Sequence, residues 1–520
     1  MAQTFKDITK DVVNRFLQNI LFIDDKAYQL DNKKNSFDAY QVSSAFAKNG
    51  KLSTIFALSS ECDLCQCSPL FSKADAIVLD WYLDLISSKE ILDDEKDADI
   101  DEPRGYYTKY LIKEIVEDAK DEKLKLIVVY TGETDLRGIT EEIYNSLTQY
   151  GSFIRGDCCV YSPNVKIVIR SKYNESEQFK YVTELKEKVI RYEDLPNFIN
   201  DEFANHVNGL MSIFALFAIS VIRENTSRIL NVYSPKLDIA YLGHKMVLPN
   251  PEDAKDLLIK LFGESITDLI SSICFDTHEW LPLWIKDRYS QPKTIKVADN
   301  KNIQVDQESI VKLLSTHFDD FEKSIKAVFG NNLSNNDAKL IHKNAALLLD
   351  ENADTVKKAN LLFARLTHHK NVFLPQRENP YLTLGTILYS LSINKFYLCI
   401  QQRCDSLRID GIRRFLFLPL VESGGETNVV VTNEKQLQIA KYSYEIKTIK
   451  FQADKDKRYV CSKRIKNGMG KDTFVFTSIH EEEFEWVLEL KELHAQRILN
   501  SYSANLSRVG LDESEWLRQL

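Results

Sequence analysis

Four short apolar runs in the first 172 residues each stop at a polar residue of a particular kind. Ile20-Leu21-Phe22-Ile23 stops at Asp24-Asp25, and Ala76-Ile77-Val78-Leu79 stops at Asp80. Leu126 to Tyr130 stops at Thr131, and Lys166 to Arg170 stops at Ser171-Lys172. Short β-branched and aromatic runs separated by helix-length segments are the signature of parallel strands buried on both faces. In an open α/β sheet the ligand site lies just beyond the carboxyl ends of the strands, so the residue following each strand carries the chemistry. All the polar groups named above fall there.

The rest of the chain divides by texture. At 520 residues it exceeds one ordinary core, and length alone predicts roughly three or four domains. Residues 1–195 alternate strand-like and helix-like segments, the pattern of a doubly wound α/β fold. Helices are expected at Phe5 to Asn19, Ser36 to Lys48, Tyr107 to Ala119, Ile139 to Gln149 and Glu177 to Arg191, with a further strand at Ser53 to Leu58. Two insertions interrupt the pattern: a cysteine-bearing loop at Cys62 to Ser68 and an acidic run from Asp93 to Glu102, expected to rim the pocket. Residues 196–380 read as helical, in Phe203 to Leu230, Asp253 to Phe275, Glu308 to Phe329 and Asp337 to Thr367.

Residues 381–520 read as a small β-barrel-like domain of short runs joined by Gly, Asn and Asp turns, with Glu481 to Ser501 as a closing helix. The N-terminus has no basic segment leading into an apolar stretch, and Gly209 to Ile222 is shorter than the roughly 20 residues of a spanning helix. Nine cysteines without an export signal are expected to be reduced thiols of a cytoplasmic protein.

The Asp, Thr and Lys set has a coherent chemistry. A carboxylate accepts a phosphoryl group only when a divalent cation offsets the charge of donor and acceptor, and Mg²⁺ takes one or two carboxylates, waters and phosphate oxygens. Asp24 and Asp25, with Asp80, suit the metal, and Asp80 suits the nucleophile. The ammonium of Lys172 and the hydroxyl of Thr131 then stabilise the charge spread over the phosphoryl oxygens.

On these residues the segment from 15 to about 192 resembles the receiver domain of two-component response regulators. The resemblance implies a flavodoxin-like five-stranded sheet, a Mg²⁺-dependent phospho-aspartate and a sensor histidine kinase as donor. It assigns Asp24 and Asp25 to the metal, Asp80 to the phosphoacceptor, Thr131 to the switch hydroxyl and Lys172 to the family's lysine. The chain departs from the family where a Met-Pro pair follows the acceptor: Leu83 and Asp84 stand there. Tyr173 stands where a proline follows the lysine.

A divergent receiver followed by a long extension without a helix-turn-helix also resembles the receiver proteins of bacterial defensive, anti-phage two-component systems. That likeness implies an effector-less phosphate buffer, with no separate enzymatic domain, working beside a second receiver-effector protein. A homodimer is left open.

Other motifs have competing readings. Cys62, Cys65 and Cys67 form either a metal-thiolate knuckle or an ordinary loop. His368-His369 with Cys399 and Cys404 offers a zinc set, although adjacent helical histidines diverge. Cys404 near Asp405 and Arg408 is either a nucleophile or part of a turn, and His206 is a helix-face histidine or a phosphotransfer histidine. Arg223, Arg228, Asp238 and His244 cluster in a segment rich in apolar residues, as either a buried polar network or a site without an evident mechanism. From Lys441 to Lys471 ten basic residues against three acidic ones are interleaved with Tyr442, Tyr444, Phe451 and Tyr459. That stretch is a solvated barrel face or, alternatively, a nucleic-acid-binding or nuclease-type output surface. The net charge of −9 argues against the whole chain binding nucleic acid.

Overall fold

The computed structural model describes residues 3–28, 37–85, 104–119, 123–173, 183–248, 251–272, 277–289, 291–298, 301–315, 321–330, 333–343, 345–372, 378–423, 427–431, 435–439, 446–466 and 472–506. They form two compact units, one built from residues 1–292 with 306–317 and the other from 293–305 with 318–520. Helices of the 196–380 segment occur in both. The acidic run 93–102 lies outside the described residues.

The first unit begins with α1 (Phe5–Phe16), whose start is fixed by a reciprocal cap between Thr4 and Asp7. Then come β1 (Asn19–Asp24), α2 (Ala39–Lys48), β2 (Leu52–Ala57), α3 (Glu61–Phe71), β3 (Ala76–Leu79), α4 (Tyr106–Asp118), β4 (Lys125–Thr131) and α5 (Leu136–Ser146). An edge hairpin of β5 (Ile154–Gly156) and β6 (Cys159–Tyr161) precedes β7 (Val165–Lys172) and the short β8 (Val189–Ile190). The sheet order is β2-β1-β3-β4-β7-β6-β5, with β8 beside β7. From β2 to β7 all pairings are parallel, and only the hairpin runs antiparallel. That parallel core has the doubly wound order, and it fits a receiver fold.

Alternation along the strands explains why both faces are dry. Leu21, Ile23, Ile77, Leu79, Ile127 and Val129 face α3, α4 and α5. Ile20, Phe22, Val78, Val128 and Val168 face α1, α2 and the first helix after the sheet. With both faces covered, polar side chains reach solvent only beyond the strand ends.

Three expectations for this unit are corrected. The Cys62–Ser68 segment is not a loop but lies in α3, because Asp63 accepts the N–H groups of Ser59 and Ser60 at 2.9 Å and starts a helix. Cys67 is buried on it, whereas Cys62 and Cys65 are exposed. In the helix expected at Glu177 to Arg191, the described part is a 3₁₀ turn, Thr183–Lys188, followed by β8, which pairs with Ser171 and Lys172. The β5–β6 hairpin and β8 extend the expected five strands to eight, the hairpin's tight turn taken by Cys158 at φ 53°.

Beyond the sheet, α6 (Leu195–His206) and α7 (Leu210–Val232) replace one expected helix, divided near Asn208-Gly209. They are followed by α8 (Asp238–Val247), α9 (Ala254–Ser271), α10 (Thr277–Arg288) and α11 (Gln307–Ser315). Helix α7 packs on α1: Arg15 pairs with Glu224, and Arg223 reaches Asp75 Oδ1 at 2.9 Å and the Phe16 carbonyl at 3.0 Å. The expected grouping of Arg223 with Arg228, Asp238 and His244 does not form. Arg228 bonds Asn225 on its own helix at 3.1 Å, and Asp238 is exposed on α8.

The second unit opens with a hairpin of β9 (Lys293–Ala298) and β10 (Lys301–Val305), followed by α12 (Phe321–Phe329), α13 (Asn335–Lys343) and α14 (Ala353–His368). A nine-stranded antiparallel sheet follows: β11 (Thr386–Ser390), β12 (Lys395–Cys399), β13 (Ile412–Glu422), β14 (Val429–Val430), β15 (Gln436–Ile439), β16 (Lys447–Gln452), β17 (Lys463–Lys466), β18 (Asp472–Thr477) and β19 (Glu483–Glu489). The chain described ends in α15 (Glu492–Leu506). Pairing runs β16-β13-β12-β11-β19-β18, and a bridge from Phe451 to Ser478, just past β18, brings the two ends together. The ring encloses Phe415, Phe417, Phe451, Phe476 and Phe484.

The closing helix expected from Glu481 is instead β19 up to Glu489 and a helix only from Glu492. Phe484, Trp486 and Leu488 recur at every second residue, a strand period.

Candidate functional site

The loops beyond β1, β3, β4 and β7 converge at one rim of the parallel sheet. Asp24 closes β1 and Asp25 follows it, Asp80 follows β3, and Thr131 and Lys172 close β4 and β7. All five are buried. Asp24, Asp25 and Asp80 each offer a carboxylate oxygen within 4.8 Å of the others. Among the described residues no other group of three His, Cys, Asp or Glu side chains comes this close.

Lys172 neutralises part of this charge. Its Nζ donates to Asp80 Oδ2 at 2.7 Å and to Asp24 Oδ2 at 3.3 Å. Burial alone pulls the ammonium's pKa down, but Asp80 and Asp24 outweigh it and the net shift is upward, so Lys172 is charged. The same Nζ lies 5.8 Å from the ring centroid of Phe37 and 5.9 Å from that of Tyr130. Tyr130 is held by a bond from its hydroxyl to the Ile190 carbonyl at 2.7 Å.

Burial pushes the Asp24 and Asp25 carboxyls upward, the latter to about 6. For Asp24, Lys172 opposes the shift and Asp80 reinforces it; the Lys26 N–H, at 2.8 Å from Oδ1, opposes it too. Three acids this close with one ammonium between them form a site in which a further cation is electrostatically favoured. An all-oxygen carboxylate set of this kind fits Mg²⁺.

The backbone around Asp80 is held by a residue that sequence reading passed over. Thr108, fully buried on α4, donates its hydroxyl to the Asp80 carbonyl at 2.6 Å and lies 3.0 Å from that of Trp81. Nothing in the run Gly105-Tyr106-Tyr107-Thr108 announces that contact. Thr131 accepts the N–H of Glu133 at 3.2 Å, which tethers its hydroxyl at the end of β4.

Both departures from the family pattern put a backbone N–H to use where a proline has none. The Asp84 N–H donates to Asp25 Oδ2 at 3.3 Å, folding the loop after β3 back onto the acidic pair. The Tyr173 N–H donates to the Ile190 carbonyl at 3.1 Å, which continues the β7–β8 pairing past Lys172.

The remaining sequence candidates lie elsewhere. His206 ends α6, half-buried, and burial lowers its pKa. His368 stacks on His494 with ring centroids 3.6 Å apart, Cys399 is buried in the barrel and Cys404 is exposed in a 3₁₀ turn. In the basic stretch Lys441, Tyr442, Tyr444 and Lys471 lie outside the described residues. Phe451 belongs to the core, so it presents no ring for stacking, while Lys450, Lys463, Arg464 and Lys466 are exposed.

Residues 16–177 match the family model described as a response receiver domain. No curated protein and no solved structure matches the chain.

Proposed function

We propose that this receiver domain accepts a phosphoryl group on Asp80 from the phosphohistidine of a sensor histidine kinase. The observation that carries the reading is Lys172 Nζ between Asp80 Oδ2 and Asp24 Oδ2 inside a buried three-carboxylate cluster. Asp24, Asp25 and Asp80 hold Mg²⁺, which when bound offsets the negative charge of donor and acceptor. Asp80 attacks phosphorus, an O–P bond forms as the N–P bond of the donor breaks, and the electron pair stays on the imidazole nitrogen. Lys172 follows the charge onto the phosphoryl oxygens, and the Thr131 hydroxyl donates to them.

The likeness to defensive two-component proteins supports a finer reading. The chain is a phosphoryl acceptor without an enzymatic output of its own, a regulator or phosphate sink in cytoplasmic anti-phage signalling, acting beside a second receiver-effector protein. Intact-mass spectrometry after incubation with a small phosphoryl donor and Mg²⁺ tests the acceptor: one phosphoryl adduct on wild type and none on Asp80→Ala is expected. An equal adduct on both removes Asp80 from the role. For the sink, adding this protein to a phosphorylated kinase should drain its label while reducing transfer to the second receiver.

A second reading gives the barrel a nucleic-acid-binding output. It is favoured by Arg414 standing directly opposite Lys450 on an exposed β13–β16 face, a like-charge pair that is unfavourable without an anion. It requires a gel shift at low salt that fades steeply as salt rises.

A further inference from the structure

The helices after α7's docked half have no core of their own. Up to Val221, α7 buries Ile213, Leu216 and Val221 against its surroundings. From residue 225 to 272, Ala254 is the only buried residue among those described. Helix α8 buries none of its ten residues, and α9 buries only Ala254 of its eighteen. A ten-residue helix does not persist in water on propensity alone, so these segments need an apolar partner.

What they expose is unusually apolar. On α8, Ile239, Leu242 and Met246 follow helical spacing, and Ile239 and Met246 are 83% and 78% exposed. Helix α9 adds Ile259, Leu261 and Phe262, and the end of α7 adds Leu230 and Val232. On α9 the charges Asp256, Lys260, Glu264 and Asp268 follow one line, and Lys255, in the first turn, stands apart from it; beyond that turn the opposite arc is apolar. Tyr233 ties the end of α7 to α9, its ring 5.6 Å from that of Phe262 and its hydroxyl 3.0 Å from Ser265 Oγ. Together these side chains expose on the order of 1,000 Å² of apolar surface, beyond the few hundred of an ordinary monomer patch and above the roughly 800 Å² per partner of a stable interface.

The charge pattern identifies what covers it. Residues 225–248 carry three basic residues, Arg228, Lys236 and Lys245, against the single acid Asp238. Residues 251–272 carry two basic residues against five acidic ones. A surface that is basic along one half and acidic along the other complements itself under a two-fold rotation, as an isologous contact requires. An anionic membrane surface calls instead for a uniformly basic polar face.

We propose that the α7–α8–α9 surface is the interface of a homodimer, a second copy of this chain laying its α8 and α9 across the same helices of the first. The inference is independent of the phosphoryl-acceptor reading.

Sedimentation velocity on the full chain tests it, comparing wild type with Ile239→Glu/Met246→Glu, both at sites exposed in the single chain. Wild type is expected at twice the 60.0 kDa chain mass. The double variant should sediment as a monomer, its dissociation constant raised roughly 100-fold or more, with an unchanged circular dichroism spectrum. A wild type that stays monomeric at tens of micromolar overturns the proposal, as does a double variant that still dimerises. So does co-flotation of wild type, but not of the double variant, with phosphatidylcholine–phosphatidylglycerol vesicles, which assigns the surface to a membrane.

Discussion

Lys172 Nζ sits 2.7 Å from Asp80 Oδ2, and the same ammonium reaches Asp24 Oδ2 at 3.3 Å. Two strand ends separated by 92 residues in sequence are thus joined through one cation. Removing one member of a buried ion pair strands the others, typically at about 3–5 kcal/mol. Lys172→Ala should therefore lower stability by a few kcal/mol, about 3 in urea unfolding. Mg²⁺ should recover part of that loss, because the cation replaces missing positive charge. Phosphorylation of this variant should be slower by at least about tenfold, the order expected from losing one electrostatic stabiliser. Wild-type stability and wild-type labelling together would remove Lys172 from both roles.

Asp84 offers a separation of side chain from backbone. Its N–H, not its carboxylate, is what reaches Asp25 Oδ2. Asp84→Pro deletes the donor, and Asp84→Asn keeps it. Isothermal titration with Mg²⁺ should show weaker binding for the proline variant, by roughly tenfold for one hydrogen bond of about 1.5 kcal/mol to a charged group, and near-normal binding for the asparagine variant. Equal affinities for the two would mean that the bond does not position Asp25.

The site was legible in sequence because each of its groups is placed by a local rule. An apolar run in a two-sided parallel sheet must end where the cover ends, and the next polar residue faces the crevice. Asp24, Asp25, Asp80, Thr131 and Lys172 all follow that rule. What could not be read depends on partners distant in sequence or on a short cap. Thr108 shows its role only when α4 meets the Asp80 carbonyl. The α3 helix was hidden behind three cysteines and Pro69, because its start rests on the single residue Asp63. At β19 the helix expected from Glu481 overlooks the period-two spacing of Phe484, Trp486 and Leu488, which is a strand signal.

In the second unit, His368 and His494 form a pH-sensitive contact. The rings stack at 3.6 Å and 4°. On His494, Nε2 faces the Asn428 carbonyl at 3.0 Å and Nδ1 faces Arg497 at 2.9 Å. A carbonyl only accepts and a guanidinium only donates, so His494 is neutral with its proton on Nε2. Burial, then His494, Arg497, His369 and Lys491, pull the His368 pKa down to about 4 from an ordinary 6.5. The unfolded chain thus binds more protons between those values, and stability is full above pH 6.5 and lost as pH falls toward 4. In thermal melts, His368→Phe should lose less stability than wild type between pH 7 and pH 4.5. Parallel curves for the two proteins would show that His368 titrates alike in the folded and the unfolded chain.

Gly105 fixes the entry to α4, three residues before the threonine that holds Asp80. It adopts φ +72°, and a Cβ there would fall inside the indole of Trp81, which directly follows Asp80. Gly105→Ala is penalised twice, by the left-handed backbone and by the collision, at roughly 1–3 kcal/mol for the overpacking alone. The indole can relieve the clash only by moving, and the Trp81 carbonyl lies 3.0 Å from the Thr108 hydroxyl, which also holds Asp80. A displaced Trp81 should therefore disturb the acceptor as well as the fold. Comparison with Thr108→Val, which removes the hydroxyl from both carbonyls but leaves the space around the indole unchanged, separates the two effects. Both variants should label more slowly than wild type, but only Gly105→Ala should alter the tryptophan fluorescence of the folded protein. Normal labelling of both would show that the backbone of Asp80 needs neither support.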